Sequence, residues 1–290
     1  MKGIILAGGS GTRLYPMTAS FSKHLLPVYD KPMLYYPLSI LMLMGVDDIV
    51  MIATTRDIPL YKSIFGDGSR FGIKISYVVQ DVANGIAEAI LLSEKYHAGH
   101  NTCLILGDNI FYIPNYKDFF KEAIEAQEGA TIFGYHVQDP QRYGVVEMDS
   151  NGKAIAIEEK PSNPKTNLAV PGIYFYDKNV FEIAKNIKPS GRGELEITDV
   201  NNAYIAQGKL NVKIMGRGCV WLDSGTSDSL LESSHLIQTI ENRQNIKVAC
   251  LEEIAVNMGY VDKKDMKETI SFMKGQSSYV KYLREIASSW

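Results

Sequence analysis

Near its start the chain reads Lys2-Gly3-Ile4-Ile5-Leu6-Ala7-Gly8-Gly9-Ser10-Gly11-Thr12-Arg13-Leu14. A short apolar run followed by turn residues is typical of a buried strand that enters a sharp turn. Three glycines in four positions allow successive backbone N–H groups to point at an anion, and Arg13 adds a guanidinium suited to phosphate oxygens. The segment predicts a phosphate-binding loop, with an ordinary strand-to-helix turn as the alternative.

The loop differs from the two commonest phosphate-binding patterns. A P-loop ends in Gly-Lys-Ser/Thr, whereas here Arg13 stands five residues after Gly8. A dinucleotide-binding fingerprint counted from Gly9 needs its third glycine where Leu14 stands. Neither a P-loop protein nor a dinucleotide-binding domain is therefore expected.

The composition of the chain limits which classes of protein remain possible. The chain has 290 residues, 46% of them hydrophobic, with 30 basic and 33 acidic residues and a formal net charge of -3. A sizeable core is expected, and no strong overall charge recruits nucleic acid or an anionic membrane. The three cysteines are far apart, and the apolar runs are too short for a signal peptide or a membrane span. We expect a cytoplasmic protein without nucleic-acid or membrane partners.

Strand and helix patterns alternate through the first half of the chain. We predict a buried helix within residues 33–45, a strand over 48–54, a helix over 57–65, a strand over 74–80, a helix over 85–96 and a strand over 102–106. This β-α-β-α-β order predicts an α/β fold, a Rossmann-like, mostly parallel mixed sheet flanked by helices.

From about Tyr143 the pattern changes to closely spaced strands. These are predicted over 145–148, 154–159 and 169–175, with Asn151-Gly152 as a hairpin signal between the first two. A helix over 194–206, a strand over 211–215 and a helix over 230–240 follow, and the tail from Cys250 has a helical pattern. We expect a core over residues 1–242 with an insertion at about 143–210, and a helical C-terminal appendage over 243–290.

Two aspartates follow apolar segments. Asp108 comes after the strand that ends at Leu106, and Asp223 comes after Val220-Trp221-Leu222. Ligands of parallel sheets bind outside the carboxyl ends of strands, which is where the glycine loop also lies. A divalent cation held by Asp108 and Asp223 would let a polyphosphate bind there. The alternative for either aspartate is a structural cap.

Two lysines stand close to these segments. Lys23 follows the loop in a stretch poor in other charges, and Lys160 follows Glu158-Glu159 at the end of a predicted strand. A surface ion pair is the alternative role for both. Their positions make them candidates for phosphate binding.

Seven groups of residues occur in order along the whole chain: Gly8-Gly9-Ser10-Gly11-Thr12-Arg13-Leu14, residues 22–33 (Ser-Lys-His-Leu-Leu-Pro-Val-Tyr-Asp-Lys-Pro-Met), Gly107-Asp108-Asn109, Tyr143-Gly144-Val145-Val146, Glu158-Glu159-Lys160-Pro161, residues 193–201 (Gly-Glu-Leu-Glu-Ile-Thr-Asp-Val-Asn) and residues 221–226 (Trp-Leu-Asp-Ser-Gly-Thr). Together they resemble the glucose-1-phosphate thymidylyltransferases, a family of sugar nucleotidylyltransferases. The resemblance implies the nucleotide-diphospho-sugar transferase fold and the reaction of dTTP with α-D-glucose 1-phosphate to give dTDP-glucose and pyrophosphate. In that family the reaction leads to dTDP-L-rhamnose and related deoxysugars.

The resemblance also assigns site residues, matched position by position. The catalytic residues would be Arg13, Lys23, Asp108, Lys160 and Asp223, of which Asp108 and Asp223 would hold Mg²⁺. The nucleotide would be bound by Leu6, Gly8, Gly9, Ser10, Gly11, Thr12, Arg13, Gln80 and Gly85. The sugar phosphate would be bound by Tyr143, Gly144, Glu159, Lys160 and Val170.

Two stretches depart from the family pattern. The usual Pro-Asp-Gly-Leu-Ala-Gln is here Ala83-Asn84-Gly85-Ile86-Ala87-Glu88, preceded by Asp81-Val82, and His24 replaces the usual glutamine. Both affect the expected preference for dTTP over UTP. The alternatives are a pyrophosphorylase that uses UTP or another base, a nucleotide-sugar sensor without turnover, and a glycosyltransferase. The last is disfavoured because an Asp-x-Asp motif is missing after the Cys103 strand.

Long members of the family form homotetramers and have a second nucleotide-sugar site at a subunit interface. Arg217 and the tail from Cys250 resemble parts of that site. The resemblance therefore implies a homotetramer and feedback inhibition by dTDP-L-rhamnose.

Overall fold

The computed structural model of the 290-residue chain describes residues 1–9, 11–126 and 128–290. Its strands are β1 (Lys2–Leu6), β2 (Pro27–Val28), β3 (Lys31–Pro32), β4 (Asp48–Ala53), β5 (Lys74–Val79), β6 (Thr102–Leu106), β7 (Asn109–Tyr112), β8 (Ala130–His136), β9 (Gly144–Met148), β10 (Ala154–Glu159), β11 (Leu168–Ala169), β12 (Ile173–Tyr176), β13 (Leu210–Ile214) and β14 (Val220–Asp223).

The helices follow the predicted alternation with the strands. They are α1 (Tyr35–Leu43), α2 (Ile58–Phe65), α3 (Ile86–His97), α4 (Tyr116–Glu125), α5 (Val180–Lys185), α6 (Ile197–Ala206), α7 (Ser227–Gln244), α8 (Leu251–Asn257), α9 (Lys263–Ser271) and α10 (Ser278–Ser289). Short 3₁₀ turns lie at Thr12–Leu14, Lys23–Leu25, Ser69–Phe71 and Pro140–Arg142.

The described strands build one ten-stranded mixed sheet in the order β10-β9-β11-β8-β12-β6-β1-β4-β5, with β13 paired to β8. Neighbours are parallel from β6 through β1 and β4 to β5, and β12 lies antiparallel between β6 and β8. Two small ribbons, β2–β3 and β7–β14, stand apart from this sheet. The predicted α/β fold, a mixed sheet flanked by helices with a helical C-terminal region, is confirmed.

Strand β1 is buried on both faces, which explains its unbroken apolar run. Ile4 belongs to the same hydrophobic cluster as Ala87 and Ile90 of α3, whereas Ile5 belongs to the cluster of Leu38 and other α1 residues. Successive side chains of a strand point to opposite faces, so the two isoleucines enter different cores. The strand therefore holds its carboxyl end, and the glycine loop after it, in a fixed position.

The predicted strand over 169–175 is interrupted. Leu168–Ala169 pairs with β8 and β9, Ile173–Tyr176 pairs with β6 and β8, and Val170-Pro171-Gly172 lies between them. Proline has no N–H for a strand ladder, and the Gly172 N–H instead donates to the Asn109 side chain at 2.9 Å. The interruption therefore turns this segment toward the polar residues at the end of β6.

The predicted helix over 194–206 begins later, at Ile197. The preceding residues form a turn in which Ser190 and Arg192 donate to the carboxylate of Glu196. The Leu195 backbone forms its hydrogen bonds with another segment, its N–H to the Asn84 carbonyl and its carbonyl to the Ala87 N–H, so the helix begins only after it.

The C-terminal helices share a core with the first half of the chain. Leu251, Met266 and Leu283 are fully buried in the cluster that contains Leu38 and Phe65. The Tyr260 hydroxyl also donates to the Met42 carbonyl at the end of α1, at 2.8 Å. Residues from about 250 onward therefore pack on α1 and its neighbours.

A buried ion cluster of Asp30, Lys31, Glu241 and Lys247 ties the β2–β3 ribbon to α7. Lys31 Nζ lies 2.5 Å from Asp30 Oδ1 and 2.9 Å from Glu241 Oε1, and Lys247 Nζ lies 2.6 Å from both Asp30 Oδ2 and Glu241 Oε2. Two ammonium groups thus face two carboxylates, which compensates the charges that are removed from water. Over the described parts of the chain, no helix is long and apolar enough to cross a bilayer.

Candidate active site

The β7–β14 ribbon brings the two candidate aspartates together. Asp223 is opposite Asn109 in the antiparallel register, and the Ser224 N–H donates to the Asp108 carbonyl at 3.0 Å. Both carboxylates line one cavity with about 170 Å³ of space for water-sized molecules. The alternative role of Asp223 as a helix cap is not observed, since Thr226 caps α7.

Asp108 is held as a carboxylate. Lys23 Nζ lies 2.5 Å from its Oδ2, and the Asn109 side-chain amide donates to its Oδ1 at 2.9 Å. Burial opposes ionisation, but the neighbouring Lys23 ammonium holds the pKa of Asp108 well below its usual range. Asn109 is itself fixed, because its Oδ1 accepts bonds from Trp221 Nε1 at 2.6 Å and from the Gly172 N–H.

The pKa of Asp223 is shifted in the opposite direction. Burial and the nearby Asp108 carboxylate raise its pKa, against the lowering effect of Arg13, Lys23 and Arg142. Gly225 contacts both Asp223 and Arg13, since a Cβ placed on it would be 2.9 Å from Asp223 Oδ1 and 3.0 Å from Arg13 Nη2. Two carboxylates that repel each other at one cavity form a suitable place for a cation.

The donor set suits a cation shared with a substrate. In the described residues no group of three or more His, Cys, Asp or Glu side chains is placed to hold a metal. Mg²⁺ is commonly bound by one or two carboxylates together with phosphate oxygens and water. Asp108 and Asp223 fit that arrangement if the substrate supplies the remaining oxygens.

The glycine loop continues from β1 into the Thr12–Leu14 turn. Gly9 has φ of 102° and Gly11 has φ of 59°, values that favour glycine, and a Cβ on Gly11 would lie 2.9 Å from the Thr18 side chain. The Thr18 hydroxyl donates to the Gly11 carbonyl at 2.8 Å, and Leu14 is fully buried. Ser10, predicted to bind nucleotide, lies outside the described residues.

A buried polar network supports the loop and Lys23 from behind. The Tyr61 hydroxyl donates to the Ala7 carbonyl at 2.9 Å and lies 2.6 Å from the Ser22 hydroxyl, and His24 Nδ1 lies 3.2 Å from both hydroxyls. Burial lowers the pKa of His24 to about 3, so its imidazole is neutral. The network therefore connects the end of β1 to the Lys23–Leu25 turn.

The sugar-binding candidates gather at the other side of the cavity. Glu159 is opposite Gly144 in the β10–β9 register, its Oε2 accepts from the Thr198 hydroxyl at 2.6 Å, and its Oε1 lies 3.6 Å from Lys160 Nζ. The Val170 N–H donates to the Gly144 carbonyl at 2.8 Å. Tyr143, Gly144, Glu159, Lys160 and Val170 all line the cavity.

The candidate base-binding residues lie beside the glycine loop. A Cβ on Gly8 would be 3.6 Å from Gln80 Oε1, and the Gln80 amide donates to Glu88 at 2.6 Å. Gly85 has φ of 106°, and any Cβ there would overlap the backbone of Leu195. Gln80 and Gly85 thus belong to a segment that is held by Glu88 and Leu195.

The cavity lining separates the predicted residues into two groups. Of the remaining candidates, three line the cavity: Arg13, Asp108 and Asp223. The others are not among its described lining residues and lie on the loop side or behind it: Leu6, Gly8, Gly9, Gly11, Thr12, Lys23, Gln80 and Gly85. Arg217 is exposed in the turn between β13 and β14 and is likewise not part of this lining.

Several lining residues received no role from the sequence. They include Arg142, Asn109, Tyr174, Thr198, Asn201 and Trp221. Asn109, Thr198, Asn201 and Trp221 stand inside motifs of the resemblance, and Arg142 directly precedes another, so position within those motifs was the available signal.

A family model described as "Nucleotidyl transferase" matches residues 2–240. The chain belongs to the nucleotidyl transferase family. Among its relatives, the glucose-1-phosphate thymidylyltransferase of Neisseria gonorrhoeae is 52% identical over 98% of both chains. That of Xanthomonas campestris pv. campestris is 50% identical over 99% of this chain and 97% of the relative, and that of Mycobacterium tuberculosis is 48% identical over 99% of each. The resemblance to glucose-1-phosphate thymidylyltransferases is thereby confirmed.

Two solved structures of nucleotidyl transferases are similar to the fold of this chain. A Bacillus anthracis protein, provisionally named glucose-1-phosphate thymidylyltransferase and crystallised with sucrose, is 44% identical with a TM-score of 0.76, covering 81% of this chain and 94% of its own. A UDP-glucose pyrophosphorylase in complex with UDP-glucose is 23% identical with a TM-score of 0.72, covering 82% of this chain and 98% of its own. The second supports the fold alone.

Proposed function

We propose that this nucleotidyl transferase transfers a thymidylyl group from dTTP to α-D-glucose 1-phosphate, giving dTDP-glucose and pyrophosphate. The observation that carries the proposal is that a single cavity is lined by two sets of charged residues. Arg13, Asp108 and Asp223 form one side, suited to a nucleoside triphosphate, and Glu159 and Lys160 form the other, suited to a sugar phosphate. The near full-length similarity to glucose-1-phosphate thymidylyltransferases supports the choice of substrates.

The reaction depends mainly on placing two anions, the nucleoside triphosphate and the sugar phosphate, next to each other. It depends less on acid–base catalysis. A sugar phosphate is already ionised at neutral pH, so its attacking oxygen needs no general base. The described residues that line the cavity include no histidine, which agrees with this reaction class. The barrier lies in bringing two polyanions together and dispersing charge at phosphorus.

Each group has a distinct role in this proposal. The backbone of the loop from Gly8 and the Arg13 guanidinium bind the triphosphate, and Lys23 adds positive charge beside Asp108. Lys160 binds the phosphate of glucose 1-phosphate, and Glu159 accepts hydrogen bonds from glucose hydroxyls. The sugar-phosphate oxygen then attacks the α-phosphorus in line with the bond to the departing pyrophosphate.

We assign Asp108 and Asp223 as the residues that would hold Mg²⁺. Both aspartates line the same cavity, and the repulsion between their carboxylates, which also raises the pKa of Asp223, favours a cation between them. Bound there, the ion would neutralise negative charge on the phosphate oxygens. Lys23 holds the Asp108 carboxylate in the absence of substrate.

The base-binding part is assigned to Gln80, Gly85 and Leu6, with Gly8 nearby. In the described structure the Gln80 amide already donates to Glu88, a residue that belongs to the stretch departing from the family pattern. A base that binds Gln80 must therefore compete with Glu88 or use the Gln80 carbonyl. Thymine and uracil offer the same hydrogen-bonding groups to Gln80, so this contact affects the binding of dTTP and UTP alike.

A nucleotide panel tests the proposal. Pyrophosphate release would be measured with glucose 1-phosphate and each of dTTP, UTP, CTP, ATP and GTP, and the product identified by mass spectrometry. We expect the highest kcat/KM with dTTP. A clear preference for another nucleotide would establish a different sugar-nucleotide pyrophosphorylase, and binding of dTDP-glucose without turnover of any triphosphate would establish a sensor.

Regulation and assembly form a separate part of the proposal. We propose a core over residues 1–242, with the 143–210 insertion around the sugar, and a 243–290 region that contributes to a homotetramer in the cytoplasm. Feedback inhibition by dTDP-L-rhamnose would then involve Arg217. Light scattering and calorimetry with dTDP-L-rhamnose test these points. A monomer with one binding event per chain, at the active site, would contradict them.

A further inference from the structure

Arg142 occupies a restrained position in the cavity wall. It ends the Pro140–Arg142 turn directly before β9, and its Nη1 donates to Asp139 Oδ2 at 2.8 Å. Its guanidinium carbon lies 5.3 Å from the centre of the Tyr143 ring, which in turn contacts Trp221 edge to face at 4.9 Å. A carboxylate on one side and an aromatic face on the other fix the guanidinium plane.

The other terminal nitrogen of Arg142 is buried and forms no hydrogen bond with any described residue. Asp223 Oδ2 is the nearby carboxylate oxygen, but at 3.6 Å it is too far for a hydrogen bond. A buried donor without an acceptor is costly, so such groups in native proteins usually have a partner. The cavity supplies the space for that partner.

Two other cationic side chains near the cavity, Lys23 and Arg192, have hydrogen-bonded carboxylate partners. Lys23 is paired with Asp108, and Arg192 donates to both carboxylate oxygens of Glu196. Lys160 has a half-exposed side chain and lies 3.6 Å from Glu159. Arg142 differs from them because its restrained guanidinium keeps a buried N–H group without a partner inside the cavity.

The position of Arg142 favours one of the two phosphorylated substrates. The next two residues, Tyr143 and then Gly144 at the start of β9, belong to the sugar side of the cavity, where Gly144 is opposite Glu159. A guanidinium binds phosphate oxygens through strong, directional hydrogen bonds. Arg142 lines the same cavity as Lys160 and lies 3.6 Å from Asp223, so its free N–H is available to a sugar phosphate bound in that cavity.

We infer that Arg142 binds a phosphate oxygen of glucose 1-phosphate and is a further catalytic residue. This inference rests on the proposed function. While one phosphate oxygen attacks the α-phosphorus and the bond to pyrophosphate breaks with its electron pair, Arg142 keeps another oxygen of the same group in place. It also offsets the repulsion between the incoming phosphate and the Asp223 carboxylate.

Two substitutions test the inference. Arg142→Met removes the charge and the donors while keeping an apolar stem for the Tyr143 ring, and Arg142→Lys keeps the charge but loses the planar fork. Arg243→Met, on the exposed face of α7, is the matched control. Steady-state kinetics would be measured for glucose 1-phosphate and dTTP separately, with thermal unfolding to verify folding and calorimetry of glucose 1-phosphate binding as a readout independent of turnover.

We expect Arg142→Met to raise the KM for glucose 1-phosphate and lower kcat, with kcat/KM reduced about 10- to 100-fold, as for loss of a hydrogen bond to a charged group. The KM for dTTP should change little, Arg142→Lys should be intermediate, and Arg243→Met should match the wild type. If Arg142→Met fails to fold, the same KM shift in Arg142→Lys decides the question.

Three results would overturn the inference: unchanged kinetics for glucose 1-phosphate, a rise confined to the KM for dTTP, or a change only in the Mg²⁺ concentration needed for activity. The second would assign Arg142 to the nucleotide, and the third to support of Asp223. A wild-type enzyme that does not turn over dTTP with glucose 1-phosphate would instead contradict the proposed function, which keeps the two failures distinct.

Discussion

Replacing Glu241 with glutamine tests how strongly the buried ion cluster stabilises the fold. The Glu241 carboxylate accepts from Lys31 Nζ at 2.9 Å, from the Val248 N–H at 3.0 Å and from Lys247 Nζ at 2.6 Å. The side chains of Lys31, Glu241 and Lys247 are 3%, 2% and 9% exposed, so water cannot replace these partners. Glu241→Gln keeps the shape but leaves two ammonium groups facing Asp30 alone.

The size of the effect follows from the charge left behind. Removing one partner of a buried ion pair costs about 3–5 kcal/mol, because the remaining charge stays desolvated without compensation. Asp30 contacts both lysines and retains part of the compensation, which favours the lower half of that range. A loss of about 3–4 kcal/mol is large against the ~5–15 kcal/mol that stabilises a typical domain. The midpoint of thermal unfolding should fall by on the order of 10 °C.

Urea unfolding followed by circular dichroism measures this loss. Glu232→Gln, on the exposed side of the same helix, is the control and should stay within about 0.5 kcal/mol of the wild type. If Glu241→Gln is as stable as Glu232→Gln, the cluster does not depend on the negative charge of Glu241 and the reasoning is wrong.

Three further substitutions address the site. Gly85→Ala should destabilise the base-binding segment and raise the KM for dTTP, since a Cβ there overlaps Leu195 and φ is 106°. Arg13→Ala should lower kcat about 10²- to 10³-fold, the scale of one lost transition-state donor, with a smaller change in dTTP affinity by calorimetry. Asp223→Asn should stabilise the metal-free protein at pH 7 by urea unfolding, because the raised pKa of Asp223 means that its ionised form costs free energy in the folded state.

Each of these outcomes has a control. Gly99→Ala has a similar positive φ of 80° but open space, so an equal effect at both glycines would exclude the overlap as the cause. Near-normal turnover of Arg13→Ala would remove its catalytic role. The gain in the free energy of unfolding from Asp223→Asn should shrink as pH falls through the range where the aspartate protonates. Asp108 has a depressed pKa and stabilises the fold above its unfolded value, so Asp108→Asn should be destabilising at pH 7.

Local patterns were sufficient to predict the glycine-rich turn after β1 and the parallel half of the sheet. β1 and β6 are continuous apolar runs that are buried on both faces, and the glycines after β1 occupy backbone conformations that favour glycine. Such features depend on neighbouring residues in the chain. They are therefore visible in the sequence without knowledge of distant partners.

Other parts of the site depend on contacts between distant segments. The interruption at Val170-Pro171-Gly172 reflects a hydrogen bond to Asn109, and the approach of Arg142 to Asp223 at 3.6 Å depends on the position of β14. No periodicity marks either feature. The neutral state of His24 likewise follows from burial, which a polar residue next to Lys23 does not indicate by itself.

The β7–β14 ribbon also sets when during synthesis Asp108 and Asp223, the proposed metal ligands, can come together. Asp108 and the glycine loop leave the ribosome early, but Asp223 reaches Asp108 only after β14 is made and pairs with β7. A nascent chain or a proteolytic fragment that ends before β14 would carry the loop without the second carboxylate. Such incomplete chains would lack one of the two carboxylates and could not assemble a complete site.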